Sequence, residues 1–249
     1  MTVVYDKTTN VEVVVAMGTT GVYAFTTSAA KFDDDITTTV PTIVSLTTFT
    51  SGASERVWDM VPLYHRDGNI LVGTTKGLYR VQFDNGAWTT PVEIVDSVNS
   101  ASLGCVSSIH VTSPALAAGS DLSVNPIFTV DCVTARARTD AGNHYRFPIT
   151  LVETTGAVSG TPAAVLVRAL DRMVTQIIAD GASTVYHAGK PTAKLASVDV
   201  LAKAIESSSA AVSGGLSAEK GSAMGSIAIA GTDGTKLVTV GGRVYVQSA

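Results

Sequence analysis

Residues 67–83 read DGNILVGTTKGLYRVQF, and residues 13–25 read VVVAMGTTGVYAF. In both segments an aliphatic run leads into Gly-Thr-Thr, and a glycine, an aliphatic residue and a tyrosine follow, with Lys76 inserted before the glycine in the first of them. Short runs rich in Val, Ile, Leu and Tyr that are separated by glycine turns are typical of β-hairpins. Because one chain contains the same phrase twice, the sequence indicates a repeated β-unit.

Each copy belongs to a longer series of strands and turns. Four apolar runs joined by three tight turns occupy residues 57–95, and residues 1–52 repeat this plan. The C-terminal segment repeats three of the four strands of this plan. Two more divergent units lie between residue 95 and that segment. Repeats of about 40 to 50 residues, each a four-stranded meander, are typical of β-propellers. We therefore predict an all-β chain, with a single propeller domain over residues 1–249. It is expected to have about five four-stranded blades, at roughly 1–52, 53–100, 101–160, 161–215 and 216–249.

One segment allows two interpretations. A short helix is one of them, because four residues share a face at helical spacing: Val198, Leu201, Ala202 and Ile205. The β-branched start of the segment and its place in the repeat favour a strand followed by a loop.

The phrase at residues 67–83 resembles the two-component-regulator type of propeller repeat. The matching residues are Asp67, Gly68, Gly73, Thr74, Gly77, Leu78, Tyr79 and Arg80. The first copy matches in part, through Gly18, Thr19, Gly21, Val22 and Tyr23. The tryptophan that is common in the second strand of such repeats is missing, and Leu71 stands near its place. The resemblance implies a propeller and leaves the function open, because such blades occur in sensors, enzymes and viral tail parts.

Composition narrows the class of partner. The chain of 249 residues is 45% hydrophobic and 15% charged, with a formal net charge of -4. No basic surface is indicated, so we expect no nucleic-acid partner. No run reaches the roughly 18 uncharged apolar residues of a membrane span, so we expect no membrane insertion. The N-terminus lacks the pattern of a secretory signal, which leaves a mature form or another route out of the cell, such as packaging on a virus particle.

Candidate chemical groups are few. Cys105 and Cys132 lie in strand-like runs and are predicted to be buried free thiols, with a disulfide as the alternative. The Asp33–Asp35 cluster lacks the spacing of a calcium loop and is interpreted as a solvated turn. Carboxylates that could pair across a central channel, as in glycosidases, are Glu12, Asp59, Asp131, Glu153 and Asp171. Their spacing singles out no pair, so we predict a protein that is not an enzyme, without catalytic residues, cofactor or metal.

One basic and aromatic cluster stands out in the segment TARARTDAGNHYRF. Its members are Arg136, Arg138, His144, Tyr145 and Arg146. We interpret it as an interaction patch for a glycan or a neighbouring subunit. An exposed hairpin kept soluble by its charge is the alternative.

These observations predict a structural or interaction protein, most plausibly a virus-particle component such as a phage tail or capsid-decoration protein. Its partners would be other structural subunits, including itself, and its location the virion or the extracellular space. The alternative is an extracellular glycan-binding, lectin-like propeller. A tyrosine recurs at one blade position, as Tyr23, Tyr79 and Tyr245. These residues would either stack against a sugar ring or pack between blades. The last unit ends one strand short, so we expect residues 2–6 or a neighbouring subunit to cover its edge.

Overall fold

The computed structural model describes residues 1–26, 42–50, 55–63, 68–112, 126–135, 142–152, 157–170, 174–180, 184–189, 205–207, 224–230, 235–240 and 243–247. These residues form twenty β-strands and no helix, which confirms the all-β prediction. The strands are β1 (Thr2–Asp6), β2 (Val11–Met17), β3 (Val22–Thr26), β4 (Thr42–Leu46), β5 (Val57–Pro62), β6 (Asn69–Thr74), β7 (Leu78–Asp84), β8 (Ala87–Trp88), β9 (Val92–Asp96), β10 (Cys105–Thr112), β11 (Ile127–Ala135), β12 (Asn143–Val152), β13 (Ala157–Ser159), β14 (Ala163–Ala169), β15 (Val174–Asp180), β16 (Thr184–Gly189), β17 (Ile205–Ser207), β18 (Met224–Ala230), β19 (Thr235–Val240) and β20 (Arg243–Gln247).

The strands are grouped in antiparallel meanders that follow the chain. The first meander is the flat sheet β1-β2-β3-β4, the second is β5-β6-β7-β9, and the third is β10-β11-β12-β14. Two three-stranded sheets follow, β15-β16-β17 and β18-β19-β20. Short turns that contain Gly join several consecutive strands, such as β2 to β3 and β6 to β7, and place them side by side. Strand β17 falls in the ambiguous segment, and the rest of that segment lies outside the described residues.

The second and third meanders form one sheet. Strands β9 and β14 pair in parallel at Ala163 with Val95 and at Ala164 with Asp96. The path β10-β11-β12-β14-β9-β7-β6-β5 is therefore continuous, and it curls into a nearly closed, barrel-like sheet. Five separate blades are thus not confirmed, because the outer strands of two neighbouring units satisfy each other's backbone groups. Strand β14 also extends the third unit past the expected boundary at residue 160.

A carboxylate closes this sheet where its first and last strands meet. Asp59 of β5 accepts a hydrogen bond of 2.7 Å from the backbone N–H of Ile109 in β10. Both strands are irregular here, with register shifts between Val57 and Asp59 and between Val106 and Ser108. Burial outweighs the hydrogen-bond donors and raises the pKa of Asp59. A side chain thus replaces a regular backbone ladder at this closure.

Two hydrophobic cores lie on opposite faces of the second meander. Between the second and third meanders is the core containing Leu71, Leu78, Val106, Phe128, Val130, Phe147 and Ile149. Between the first and second is the core containing Val4, Val13, Val15, Val22, Ala24, Ile70, Val72, Tyr79, Val81 and Phe83. Every residue of β6 is buried. Because strand side chains alternate between faces, Leu71 enters one core while Ile70 and Val72 enter the other.

The repeated phrase forms the same kind of turn twice. The N–H of Gly18 donates to the carbonyl of Gly21 at 2.8 Å, and the N–H of Thr74 donates to that of Gly77 at 2.9 Å. The first residue of β5 and the residue before it connect the two turns. Val57 N–H donates to the Thr19 carbonyl at 3.0 Å, and the Arg56 carbonyl accepts from Thr75 N–H at 2.9 Å. The repetition in sequence is therefore a repetition of two hairpins that contact one another.

The three recurring tyrosines lie on the third strand of their sheets. Tyr23 is on β3, Tyr79 on β7 and Tyr245 on β20. Tyr79 is buried in the core between the first two meanders and lies 5.5 Å from Phe49, measured between ring centroids. Packing between sheets therefore accounts for Tyr79, whereas Tyr23 is only half-buried.

Candidate functional site

The face of the first meander that points away from the second carries an apolar row. The strand register places Val3 opposite Val14, Val14 opposite Phe25, and Phe25 opposite Ile43, so the row crosses all four strands. Val3 is 44% exposed and Ile43 is 55% exposed, while Val14 and Phe25 are half-buried. We call this side of the sheet the outer face.

The rows beside it carry little charge. One row pairs Tyr5 with Glu12, and the other consists of Ala16, Tyr23 and Ser45. Glu12 is the single charged residue among the paired strand positions of the outer face. An antiparallel sheet with one side in water normally places polar residues on that side. An exposed, mainly apolar face of this kind is typical of an interaction surface.

The repeat explains why the outer face is apolar. In the second meander, Tyr79 and its neighbours lie on the face that the first meander covers. Tyr23 occupies the matching position in the first meander, and it lies on the outer face. The outer face is therefore the equivalent of a surface that is buried between meanders elsewhere in the same chain.

The basic and aromatic cluster is only partly within the described residues. Arg136 and Arg138 lie outside them. His144 is 2% exposed and Tyr145 is 6% exposed, so these two side chains present almost no surface. Arg146 pairs with the carboxylate of buried Asp131, with its Nε 2.9 Å from Oδ1.

The same carboxylate also binds the histidine. His144 Nε2 lies 2.7 Å from Asp131 Oδ1. Burial alone would raise the pKa of Asp131, but the hydrogen bonds from His144 and Arg146 outweigh it and lower the pKa. On the other face of β12, Asn143 Nδ2 donates to the Tyr145 hydroxyl at 3.2 Å, and burial raises the pKa of Tyr145. The structure thus gives His144 and Arg146 a shared partner on the neighbouring strand, while the Tyr145 hydroxyl contacts a residue of its own strand.

The remaining candidate groups are dispersed. Glu12 lies on the outer face, Asp59 lies at the closure of the sheet, and Asp131 binds His144 and Arg146. Glu153 and Asp171 fall outside the described residues, as do Asp33, Asp34 and Asp35. Within the described part of the chain, no group of three or more His, Cys, Asp or Glu side chains could hold a metal ion.

Both cysteines are free thiols and the disulfide alternative is not formed, but the predicted burial holds for Cys132 and not for Cys105. Cys132 is fully buried in the core between the second and third meanders, while Cys105 is half-buried. Burial raises the pKa of both thiols.

One polar contact between the first two meanders involves a residue that no sequence motif marks, Asp6. Buried Asp6 accepts backbone hydrogen bonds from Thr9 at 3.0 Å, Asn85 at 3.0 Å and Gly86 at 2.7 Å. Asn85 and Gly86 form a hairpin turn with positive φ angles of 50° and 74°. The Asn-Gly pair was readable as a turn, but nothing local to it identifies the distant carboxylate that binds it.

Asp6→Ala is expected to lower the free energy of unfolding by about 2 kcal/mol at neutral pH, because three backbone N–H groups lose a charged acceptor. Burial alone would raise the pKa of Asp6, but the N–H groups of Thr9, Gly86 and Asn85 outweigh it and lower the pKa. The contribution of the Asp6 charge to the free energy of unfolding is therefore fully present above about pH 3.9, the pKa of Asp in the unfolded chain. It is lost as the pH falls through the lower pKa that Asp6 has in the folded protein. Urea unfolding at pH 7 and across the acid range measures both effects.

Asp84→Ala is the matched control, because half-buried Asp84 accepts one hydrogen bond of 3.0 Å from Thr8 N–H. Its expected cost is below about 1 kcal/mol. A difference between wild type and Asp6→Ala that stayed constant down to the lowest pH would contradict the role assigned to the Asp6 charge.

Comparisons with protein-family models, with curated proteins and with solved structures find no match to this chain. Within the described residues, no helix has the length and apolar content needed to cross a membrane.

Proposed function

We propose that this protein is a non-enzymatic structural subunit of a larger assembly, in which the outer face packs against a neighbouring subunit. The observation that carries the proposal is the apolar row of Val3, Val14, Phe25 and Ile43 on a flat sheet with a single charged residue beside it. A flat sheet is unusual and is typically stabilised by stacking against another layer. A virus particle, as a phage tail or capsid-decoration component, is the assembly we propose, and the virion is its location.

The repeat supports a β-sheet as the partner layer. The matching face of the second meander packs against a β-sheet of this same chain. A neighbouring subunit that presented an apolar sheet would bury Val3 and Ile43 in the same manner. Burying apolar surface contributes about 25 cal/mol per Å², so a face of this kind stabilises an assembly without any catalytic group.

The test is whether the protein co-sediments with virus particles. In a density gradient of material from the native source, wild-type protein is expected in the particle fraction. Val14→Lys places a charge in the centre of the outer face and is expected to move the protein to the soluble fraction. Val98→Lys is the control, because Val98 is 86% exposed in a turn away from this face. Wild-type protein found only in the soluble fraction would overturn the proposal.

A ring of five blades is a second proposal, for the arrangement of the complete chain. It is supported by the face-to-face packing of the first meander on the second and of the second on the third. In a closed ring the last meander, β18-β20, would cover the outer face in place of a neighbouring subunit. Val14→Lys would then lower the free energy of unfolding by about 2 kcal/mol or more, because the charge would enter a core. Unchanged stability with lost assembly would favour the neighbouring subunit.

Glycan binding is the alternative function, and the aromatic residues of the outer face favour it. Tyr5, Tyr23 and Phe25 are half-buried on a flat sheet, where a sugar ring could stack. Titration with a panel of oligosaccharides distinguishes the two functions. Glycan binding would be supported if the wild-type protein bound an oligosaccharide, Tyr23→Ala abolished that binding, and the protein stayed outside the particle fraction.

A further inference from the structure

The hairpin turn between β7 and β8 carries a reactive pair of residues. Asn85 and Gly86 connect Asp84 with Ala87, which pair directly, so they are the two loop residues of the hairpin. Both are exposed to solvent. In an Asn-Gly pair the backbone nitrogen of the glycine can attack the side-chain Cγ of the asparagine, because glycine has no side chain to hinder the approach. This pair occurs once in the chain.

The conformation of the turn opposes this attack. The φ angles of 50° at Asn85 and 74° at Gly86 are those of a type I′ turn, in which ψ of the first loop residue is about 30°. The Gly86 nitrogen then lies on the opposite side of the Asn85 Cα–C bond from Cβ, so it cannot reach Cγ. Contact between the two atoms requires a large rotation about this bond, which takes Asn85 out of the turn. The attack therefore requires the turn to open.

Asp6 holds the turn closed. Its Oδ1 accepts the N–H of Asn85 at 3.0 Å, and its Oδ2 accepts the N–H of Gly86 at 2.7 Å. Asp6 ends β1 of the first meander and is 1% exposed, so its carboxylate joins that meander to a turn of the second. Hydrogen bonds to a charged acceptor are the stronger kind, and one of these two engages the attacking nitrogen itself. Opening the turn therefore breaks two contacts between the meanders.

We propose that Asn85 is a deamidation site, which Asp6 holds back and which reacts when the first meander separates from the turn. In the open turn the Gly86 nitrogen gives its proton to hydroxide and forms a bond to Asn85 Cγ. The side-chain nitrogen takes a proton from water and leaves as ammonia, so a five-membered succinimide remains. Water then adds to one of the two succinimide carbonyls and breaks its C–N bond, which gives aspartate or isoaspartate at residue 85.

The reaction makes the separation hard to reverse. Either product carries a carboxylate at residue 85, and the docked Asp6 brings a second carboxylate to the same turn. Like charges at close range oppose docking. Isoaspartate also lengthens the backbone by one carbon atom, so the two-residue turn no longer matches the Asp6 carboxylate. The site consists of Asp6 and the turn alone, so it does not depend on the proposed function.

Peptide mass spectrometry of the full chain, incubated in native buffer, measures deamidation of Asn85. Asp6→Ala is expected to deamidate about tenfold faster than wild type, because a reaction of the open form follows the population of that form. Asp96→Ala is the matched control, since Asp96 accepts a hydrogen bond of 2.8 Å from Val98 N–H in a different turn. It is expected to react at the wild-type rate.

Wild type in urea gives the rate of the open turn, which is expected to be well above the native rate. Asp6→Asn keeps a carbonyl acceptor without the charge and is expected to react at an intermediate rate. If circular dichroism shows that Asp6→Ala has failed to fold, Asp6→Asn decides. Equal rates for wild type and the folded Asp6 variants, or a native wild-type rate equal to the rate in urea, would overturn the proposal.

Asn85→Asp imitates one product of the reaction. Its melting temperature is expected to be about 3 °C below that of wild type, because two carboxylates then share the turn. In the Asp6→Asn background the same change is expected to have no effect, since the opposing charge is gone. An Asn85→Asp protein as stable as wild type would overturn the claim that deamidation makes the separation hard to reverse.

Discussion

Gly68→Ala is expected to lower the free energy of unfolding by about 4 kcal/mol, which is enough to unfold many domains of this size. A Cβ at Gly68 would lie 1.8 Å from the carbonyl oxygen of Phe83 and 2.7 Å from its carbonyl carbon. These are backbone atoms of β7, so they cannot move aside as the end of a side chain can. The carbonyl of Gly68 also accepts the N–H of Phe83 at 2.9 Å, and any shift that relieves the overlap weakens this bond.

Thermal and denaturant unfolding measure this loss, with Gly160→Ala as the control. Gly160 has a φ of +74° but no atom within 4 Å of an added Cβ. Its substitution therefore has only a backbone cost of about 1 to 2 kcal/mol. If the two variants were equally stable, close approach of the backbone at Gly68 would not be the reason for the glycine.

Tyr79→Ala is expected to cost about 3 kcal/mol, as other large-to-small changes in a core do. Tyr79 is 1% exposed and packs between the first and second meanders. Its buried hydroxyl has no hydrogen-bond partner. The side chain of Thr50 lowers the pKa of Tyr79, but this effect is smaller than those that raise it. Burial raises the pKa of Tyr79 most, and the negative charges of Glu55 and Glu93 raise it further. Tyr79→Phe should therefore be neutral or stabilising, since it removes an unsatisfied polar group.

Tyr23→Ala is the matched control, because Tyr23 has the equivalent place in the first meander and is half-buried. It is expected to cost less than about 1 kcal/mol. The contrast separates packing from ligand binding at the repeated tyrosine. A Tyr79→Ala protein that unfolded like wild type and lost glycan binding would contradict the packing role.

Local sequence pattern predicted the meanders because strands and turns are local features. Asn85 and Gly86 mark a hairpin, and the phrase around Gly77 marks another. The pairing of β9 with β14 could not be predicted in this way. It joins Val95 and Ala163, which are far apart in the chain, and it depends on how two complete sheets pack. Strand order within a unit is therefore readable from sequence, while pairing between units is not.

The candidate site shows the same division. The continuous run at residues 13–15 predicts a strand with apolar side chains on both faces, but it does not tell which face remains uncovered. For Arg146, the partner Asp131 lies on the neighbouring strand fifteen residues away. Sequence alone made this arginine part of a surface cluster, since its partner is identified only by the register of β11 and β12.

The joined sheet has a consequence for the order of folding. Almost every strand in the first three meanders pairs with a neighbour in sequence, and such short-range contacts form quickly because little chain entropy is lost. The pairing of Val95 with Ala163 and the contact of Asp59 with Ile109 are different, because each closes a long loop. During synthesis the first two meanders can therefore form while the third is still being made. The closing contacts come last, and until then the strand edges of β9 and β5 are open to pairing with another chain.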